Sequence, residues 1–354
     1  MSRRIVTLTV LALCAACVPV TSAPKKPQAR YKSPVCVAVS PDGNFAYVTN
    51  QTADSLSVID TGAAKVTKEI PVGKHPTGVV VSPDGKAVYV ANTRAHSVSV
   101  VDPAQGKVVA TIPCGFDPTG LCLSRDGKTL YSANFISDDV SVIDTAQRKE
   151  VGRVKVMRAP TFPALTPDGK KLLVSNFFGN QPATNPKLTA VISVIDTAQR
   201  KVIDEIRSPG TMLMGRGIAV SPDGKYAYAV HHRPNFNITP SQLQQGWIQT
   251  NALTIVPLQS KEEPVRTVLL DNVNSGAANP YAVAVSKDGQ KLFVTNRGIH
   301  KVSVLDLPKL HGLLQNTKPE QLAYAHVNLG FLWGRNGLIQ RVDCGGLGPK
   351  GLAV

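Results

Sequence analysis

A tetrapeptide of the form Ser/Thr-Pro-Asp-Gly recurs six times along the 354-residue chain, and the spacing of its copies constrains the fold. Two of the copies carry Arg or Lys in place of Pro. The copies start at residues 40, 82, 124, 166, 221 and 286, so the first four lie 42 residues apart and the later gaps are 55 and 65 residues. Self-similarity of this kind predicts a repeat architecture, in which each unit packs against its neighbours.

One repeat unit, residues 76–115, contains four runs rich in Val, Ile, Tyr and Thr, separated by clusters of turn residues. Such runs are typical of short antiparallel strands. In "SPDGK" the Pro presets the first turn angle, the Asp side chain can bond the backbone, and the Gly accepts a positive φ angle. This predicts a tight hairpin between strands one and two, and sequences such as "IDTAQRK" predict a second hairpin between strands three and four.

Four short strands in about 40 residues, with few helix signals, predict the blade of a β-propeller. A parallel β-helix has much shorter repeats, and an immunoglobulin-like sandwich needs about 100 residues per unit. We therefore predict an all-β propeller of four-stranded antiparallel blades, six of them visible, followed by the first strand of a seventh. The predicted blades are 33–74, 75–116, 117–158, 159–211, 212–278 and 279–347, with a stub at 348–354.

The sequence stops at Val354, where the next Ser-Pro-Asp-Gly turn would be due. An unpaired strand edge is a liability in a natural fold. We therefore expect the sequence to be a fragment of a longer product with seven blades, and a six-bladed ring with a stub is the alternative.

The N-terminus has the composition of an export signal over residues 1–23. Arg3 and Arg4 precede an apolar run over 5–16, and small residues follow near Ala23. The apolar run is too short to span a membrane. We expect an exported protein, periplasmic or at the cell surface, with a linker at 24–32 and a candidate lipid anchor at Cys17.

The formal net charge is +15, and removal of Arg3 and Arg4 with the signal would leave +13. A surplus of this size favours an acidic protein or an anionic envelope component as partner; simple solubility is the alternative. Nucleic acid is not expected, because no basic run is interleaved with aromatic residues.

Four cysteines follow the signal, namely Cys36, Cys114, Cys122 and Cys344. An oxidising compartment permits disulfides, but four cysteines allow three pairings, which stay open here. The chain has no Cys-x-x-Cys-His stretch, so we expect no c-type haem attached to it and no other cofactor.

Because strand direction alternates within a blade, the Ser-Pro-Asp-Gly turns share one face of the ring. The two–three loops and the links between blades share the other face, where we expect everything irregular to lie. Long insertions occur in the two–three loops of blade four (176–193) and blade five (231–254). A third, at 306–349, could cover either face. Loops grafted on a rigid scaffold are the usual place for function.

Alignment of the links between blades predicts which residues surround the channel mouth. They are His75, Asp117, Arg158, Arg216, Asn279, Tyr281 and Lys350, to which the ends of the second strands add His231, His232, Arg233 and Arg297. Arginine presents a planar donor fork to carboxylate or phosphate. We therefore predict a site for an anionic ligand.

Each histidine also has a structural interpretation. His231 stands where other blades carry Asn, and it could simply cap the strand end. Neighbouring residues on a strand point to opposite sides, so His231 and His232 would not bind one ion together. We therefore predict no metal site; His75, His231 and His232 are the only weak candidates for metal ligands. His96 and His300 align with Asp54 and Asp138 and are predicted to be turn residues.

Catalytic patterns are missing from the sequence. It contains no Gly-x-Ser-x-Gly elbow and no His-Glu-x-x-His helix. In the predicted channel mouth Asp117 stands alone, without a second carboxylate for acid–base work.

The pairing of "SPDG" with "YVTN" resembles the YVTN family of β-propeller repeats over roughly residues 33–354. Similar proteins occur in surface layers and among secreted proteins, and related propellers include lactone hydrolases and subunits of quinone-dependent amine dehydrogenases. The stretch 231–256 looks like an insertion of bacterial propellers that precede a c-type haem peroxidase-like module. The resemblance therefore implies a c-type cytochrome module as partner or C-terminal extension.

Three functions follow from these observations. The first is an exported, non-catalytic binding or scaffold module that acts through its insertion-bearing, His- and Arg-rich face. The second is a redox assembly with a c-type haem module, and the third is hydrolysis of a lactone or similar small molecule.

Overall fold

A computed structural model describes residues 32–182, 189–234, 249–260, 262–272, 276–322, 332, 337–345 and 348–354. It contains six four-stranded sheets, and within each sheet the antiparallel strands follow one another in chain order. The protein is thus an all-β propeller with six four-stranded blades, and the predicted fold class is confirmed.

The strands have the following bounds. Blades one and two contain β1 (Pro34–Val39), β2 (Phe45–Asn50), β3 (Ser55–Asp60), β4 (Lys65–Pro71), β5 (Pro76–Val81), β6 (Val88–Asn92), β7 (Ser97–Asp102) and β8 (Lys107–Pro113). Blades three and four contain β9 (Pro118–Leu123), β10 (Thr129–Asn134), β11 (Asp139–Asp144), β12 (Lys149–Lys155), β13 (Pro160–Leu165), β14 (Lys171–Asn176), β15 (Ile192–Asp196) and β16 (Lys201–Ile206). Blades five and six contain β17 (Ile218–Val220), β18 (Tyr226–Pro234), β19 (Gln249–Pro257), β20 (Arg266–Leu269), β21 (Pro280–Val285), β22 (Lys291–Asn296), β23 (Lys301–Asp306) and β24 (Ile339–Asp343).

The repeated turn closes through its own side chains. In blade two the Ser82 hydroxyl donates to the Asp84 carboxylate at 2.6 Å, and that carboxylate also accepts the backbone N–H of Lys86 at 3.0 Å. Gly85 takes a φ angle of 71°. These hydrogen bonds hold the pKa of Asp84 below its usual value. The bond from Ser or Thr to Asp recurs in the other five turns.

The first strands of consecutive blades approach one another closely around the channel. A Cβ atom on Gly78 would lie 2.5 Å from the carbonyl oxygen of Thr119. The Thr77 hydroxyl donates to that same carbonyl at 3.0 Å, and the Thr119 hydroxyl donates to the Thr161 carbonyl at 3.0 Å. Side-chain hydrogen bonds therefore tie the first strands of blades two, three and four to one another.

Residues 348–354 lie between blades six and one, where the first strand of a further blade would lie. The Thr295 hydroxyl donates to the Lys350 carbonyl at 3.1 Å, and a Cβ atom on Gly351 would lie 2.7 Å from Cys36 Cα. The segment is not assigned as a strand, however, and the described residues form no seventh blade. A pocket of about 730 Å³ lies beside it.

Blade five differs from the prediction in the length of its central strands. Both β18 and β19 have nine residues, and their pairing continues through His231 with Ala252 to Pro234 with Gln249. The prediction that the two–three loop begins at His231 is therefore wrong, since backbone pairing extends the hairpin by three residues. The rest of that predicted loop, 235–248, lies outside the described residues, as do 183–188 of the blade-four insertion.

The third insertion lies between β23 and β24. It forms α1 (Leu307–Asn316) and α2 (Pro319–Leu322). The Asp306 carboxylate caps α1 by accepting the Lys309 N–H at 3.1 Å, and the Leu307 N–H donates to Gln290 in the repeated turn at 2.9 Å. The expectation that all irregular segments share the opposite face is therefore wrong. This helix lies on the turn face because its apolar side chains Leu307, Leu310 and Leu314 pack against blades five and six.

Cys36, Cys114, Cys122 and Cys344 are free thiols in the structure. The predicted export signal and nearly all of the linker, residues 1–31, lie outside the described residues. In the described part of the chain, no helix is long and apolar enough to cross a membrane.

We predict that Gly78→Ala lowers the free energy of unfolding by about 2 kcal/mol or more, because the new methyl group collides with the Thr119 backbone. Gly312→Ala is the control. Gly312 lies within α1 with no atom within 4 Å of the added Cβ, so this change should raise stability by about 0.5–1 kcal/mol. Urea unfolding followed by circular dichroism measures both, and equal effects would contradict the close approach of the strands.

Candidate binding face and channel mouth

Five blades end their second strand in a buried Asn that bonds a hydroxyl of the third strand. Asn92, Asn134 and Asn296 each donate from Nδ2 to a Ser hydroxyl at 2.8 Å. Asn50 and Asn176 do the same at 2.7 and 2.9 Å. The strand ends are thus joined beneath the loops by buried side-chain hydrogen bonds.

His231 takes this position in blade five. Its ring is completely buried, with Nε2 at 2.8 Å from the Thr254 hydroxyl and Nδ1 at 3.0 Å from the His232 carbonyl oxygen. The Thr254 hydroxyl lies 2.8 Å from that of Thr267 in turn. Burial lowers the pKa of His231 to about 4, so the ring is neutral at pH 7. This geometry favours the structural interpretation of His231.

His232 points away from His231 and is half-buried. Its ring nitrogens lie 3.3 Å from the Gln249 side-chain oxygen and 3.3 Å from that of Asn279. The Asn279 N–H donates to the Asn251 side chain at 3.0 Å. The two histidines therefore have separate partners. Among the described residues, no three His, Cys, Asp or Glu side chains are placed to hold a metal ion together.

His75 and Asp117 begin the links to the first strands, with φ angles of 57° and 54°. The His75 N–H donates to Asp54 at 2.9 Å, and the Asp117 N–H donates to Nδ1 of His96 at 3.2 Å. The same contact recurs from Gly348 to His300 at 2.8 Å. Asp54, His96, Asp138 and His300 all have φ angles between 49° and 58°, so the predicted turn role of His96 and His300 is confirmed.

His75 itself lies in a pocket of about 430 Å³, with Lys74 and Arg94 among its neighbours. Burial lowers the pKa of His75, and the charge of Arg94 lowers it further. The pocket is lined by the loop between β2 and β3 and by the link between blades one and two.

Arg216, Arg297 and Lys350 form what we call the cationic cluster. The guanidinium carbon of Arg216 lies 4.8 Å from the ring centre of Tyr281 and 5.2 Å from that of Phe177. Its Nε is buried and has no hydrogen-bond partner. Burial lowers the pKa values of Arg216 and Lys350, and the charge of Arg297 lowers both further. Within the described part of the chain, no carboxylate forms an ion pair with any of the three.

Phe116, Ile136 and Phe178 form what we call the apolar patch, with exposed fractions of 58%, 61% and 40%. The three residues lie in the link before blade three and in the two–three loops of blades three and four. The guanidinium carbon of Arg158 lies 5.6 Å from the ring centre of Phe178. None of these three residues is among the site residues predicted from the sequence.

A signal for the patch was present in the repeat. The two positions after the strand-end Asn are Gln51 and Thr52 in blade one, and Thr93 and Arg94 in blade two. Blades three and four instead carry Phe135 with Ile136, and Phe177 with Phe178. The inner rings of this set, Phe135 and Phe177, have centres 5.6 Å apart.

The predicted site residues therefore divide into separate groups. Arg216, Tyr281, Arg297 and Lys350 come together, and His232 adjoins them through Asn279. His75, Asp117 and Arg158 lie at the links of blades two to four. Arg233 lies two residues beyond His231 on β18, pairs with Thr250, and is half-buried, which lowers its pKa.

We predict that His231→Asn reduces the loss of stability in acid. His231 has an ordinary pKa of 6.5 and a pKa of about 4 in the fold, so the unfolded chain binds more protons between these pH values. Its stabilising contribution is thus present above pH 6.5 and is lost as the pH falls toward 4, by about 3 kcal/mol in all. Urea unfolding at about pH 7 and pH 4.5 measures the difference. Thr52→Asn, an exposed loop position where neither side chain titrates, is the control and should keep the wild-type slope. An identical acid loss in His231→Asn would contradict the buried neutral ring.

Comparison with known proteins places this chain among propellers. Residues 16–112 match the family model "Lactonase, 7-bladed beta-propeller". The chain is 31% identical to the hydrazine synthase subunit beta of Kuenenia stuttgartiensis over 165 residues, which are 46% of this chain and 41% of that protein. A solved chain of K. stuttgartiensis hydrazine synthase superposes with a TM-score of 0.83 at 30% identity, covering 93% of this chain and 91% of that one. The chain therefore belongs to the β-propeller family of this solved hydrazine synthase chain.

Proposed function

We propose that this protein is an exported, non-catalytic propeller module that binds an acidic protein through its loop face, the face formed by the two–three loops and the links between blades. The observation that carries the proposal is the apolar patch of Phe116, Ile136 and Phe178. Large apolar side chains that are exposed together and surrounded by polar residues mark interaction surfaces. Aromatic and Arg side chains also dominate the binding energy of protein interfaces.

The charges around the patch indicate the chemistry of the partner. Arg158 lies over Phe178, and Arg94 follows the second strand of the neighbouring blade two. In the described residues, neither arginine forms an ion pair with a carboxylate. With a net charge of +15, the chain would attract an acidic surface over a distance and repel a basic one.

The comparison with hydrazine synthase supports a protein partner. By its name the relative is one subunit of a larger enzyme, and the present chain has the same fold over nearly its full length. The sequence match covers about two fifths of that protein, so its activity is not carried over. The export-type N-terminus and the resemblance of residues 231–256 to the insertion of propellers that precede a c-type haem module make such a module our first candidate for the partner.

The lactonase alternative has weaker support. It depends on a family model that matches residues 16–112 alone. The described residues offer no group of three His, Cys, Asp or Glu side chains that could hold a catalytic metal.

The test is a substitution of the whole patch, Phe116→Ser with Ile136→Ser and Phe178→Ser. Tagged wild-type protein is expressed in the native organism, cross-linked in the envelope fraction and purified, and the cross-linked residues are mapped by mass spectrometry. We expect an acidic protein cross-linked to the links and loops of blades two to four. The triple substitution should lower its recovery by about tenfold or more, because each buried anchor contributes 1 kcal/mol or more, by rough count.

The matched control changes three apolar residues of similar exposure on the fourth strands, with Val66→Ser, Val151→Ser and Ile203→Ser. This variant should recover the partner as wild type does. Equal recovery by the patch variant, or wild-type protein that elutes from fresh extract at the mass of a lone chain, would contradict the proposal.

A further inference from the structure

We propose that the cationic cluster at the channel mouth binds a small, multiply charged oxyanion, with carboxylate or phosphate groups held by Arg216, Arg297 and Lys350 beside Tyr281. This site is separate from the apolar patch and does not depend on the proposed partner.

Equivalent positions in the repeat show what the fold itself needs here. Thr77, Thr119 and Thr161 lie at the start of the first strands of blades two to four. Thr77 and Thr119 donate their hydroxyls to a backbone carbonyl of the next first strand, and Thr161 donates to the Gly215 carbonyl in the link that precedes β17. The equivalent positions of blade five, blade six and the segment 348–354 carry Arg216, Tyr281 and Lys350. Three consecutive segments around the channel thus carry a large side chain with a cation or a phenol where blades two to four carry a small structural hydroxyl.

The equivalence follows from geometry as well as from sequence. A Cβ atom added to Gly217, next to Arg216, would lie 2.7 Å from the Val283 nitrogen in the first strand of blade six, as one on Gly78 would lie 2.5 Å from the first strand of blade three. A Cβ atom added to Gly351, next to Lys350, would lie 2.7 Å from the first strand of blade one. The three large side chains therefore start from neighbouring backbone segments at one level of the channel.

Arg297 joins them from the second strand of blade six. It occupies the position of Thr93 in blade two, whose hydroxyl lies 2.9 Å from that of Thr77. The residue after the strand-end Asn therefore lies beside the first-strand residue of its own blade. In blade six these two residues are Arg297 and Tyr281.

The cluster has the electrostatics of an anion site. Burial lowers the pKa values of Arg216 and Lys350, the charge of Arg297 lowers both further, and no described carboxylate forms an ion pair with any of the three. Arg216 is held between two aromatic rings, while its Nε has no hydrogen-bond partner. A buried donor without a partner is costly, and a bound carboxylate or phosphate would satisfy it. The stacking also fixes the guanidinium plane before a ligand binds, which lowers the entropy cost of binding.

The experiment is isothermal titration of the full chain with citrate, succinate and inorganic phosphate, at constant ionic strength. Arg216→Met keeps the stacked stem and removes the charge, and Lys350→Met removes the second cation. Arg125→Met is the control, because Arg125 is an exposed residue in a turn of the opposite face. Circular dichroism and the melting temperature show whether each variant is folded. If Arg216→Met does not fold, Tyr281→Phe is used in its place.

We expect wild-type protein and Arg125→Met to bind at least one of these anions with equal affinity. Each cluster substitution should weaken it by about tenfold or more, and Tyr281→Phe by a smaller factor. Tighter binding of citrate would assign the ligand to the carboxylates, and tighter binding of phosphate would assign it to the phosphates. No heat with any anion up to about 10 mM, or the same loss in Arg125→Met, would overturn the proposal. The apolar-patch variant should bind the anion normally, and Arg216→Met should still recover the protein partner, so the two proposals can fail separately.

Discussion

The close approach of the first strands around the channel is the constraint on which the rest of the structure depends. Gly78 and Gly351 leave room for the neighbouring backbone, and hydroxyls such as that of Thr77 bond across the gap. Every blade must then direct its loops to the same two faces at the same level. Residues at equivalent positions of different blades are therefore equivalent in space, and any departure from the repeat can be judged against several copies in the same molecule.

This internal comparison separates structural residues from residues that the fold does not require. His231 departs from Asn but keeps the buried bond to a third-strand hydroxyl, at 2.8 Å. Arg216 departs from Thr and loses the structural bond altogether, while its Nε stays without a partner. Two substitutions that look equally unusual in the sequence thus have opposite meanings. His231 preserves the buried hydrogen bond to the third strand, whereas Arg216 loses the hydrogen bond between neighbouring first strands.

Local chemistry explains which features could be predicted from the sequence. The hairpin turns follow from Pro, Asp and Gly acting within five residues, and the period of 42 residues specifies their packing. His300 was identified as a turn residue because it aligns with Asp54. The extension of β18 to Pro234 and the position of α1 under blades five and six depend on contacts with distant segments, which local patterns do not encode. The apolar patch was missed because phenylalanines after a strand look like core residues until exposure is known.

The loop face combines two different surfaces, and their separation follows from the order of the blades. Aromatic and aliphatic residues stand after the second strands of blades three and four, whereas Arg297 stands there in blade six. Phe177 lies at the boundary, where its ring contacts Phe178 on the patch side and Arg216 on the cluster side. The two surfaces therefore adjoin at this ring, while the side chains proposed to bind the anion and those proposed to bind the partner remain different residues.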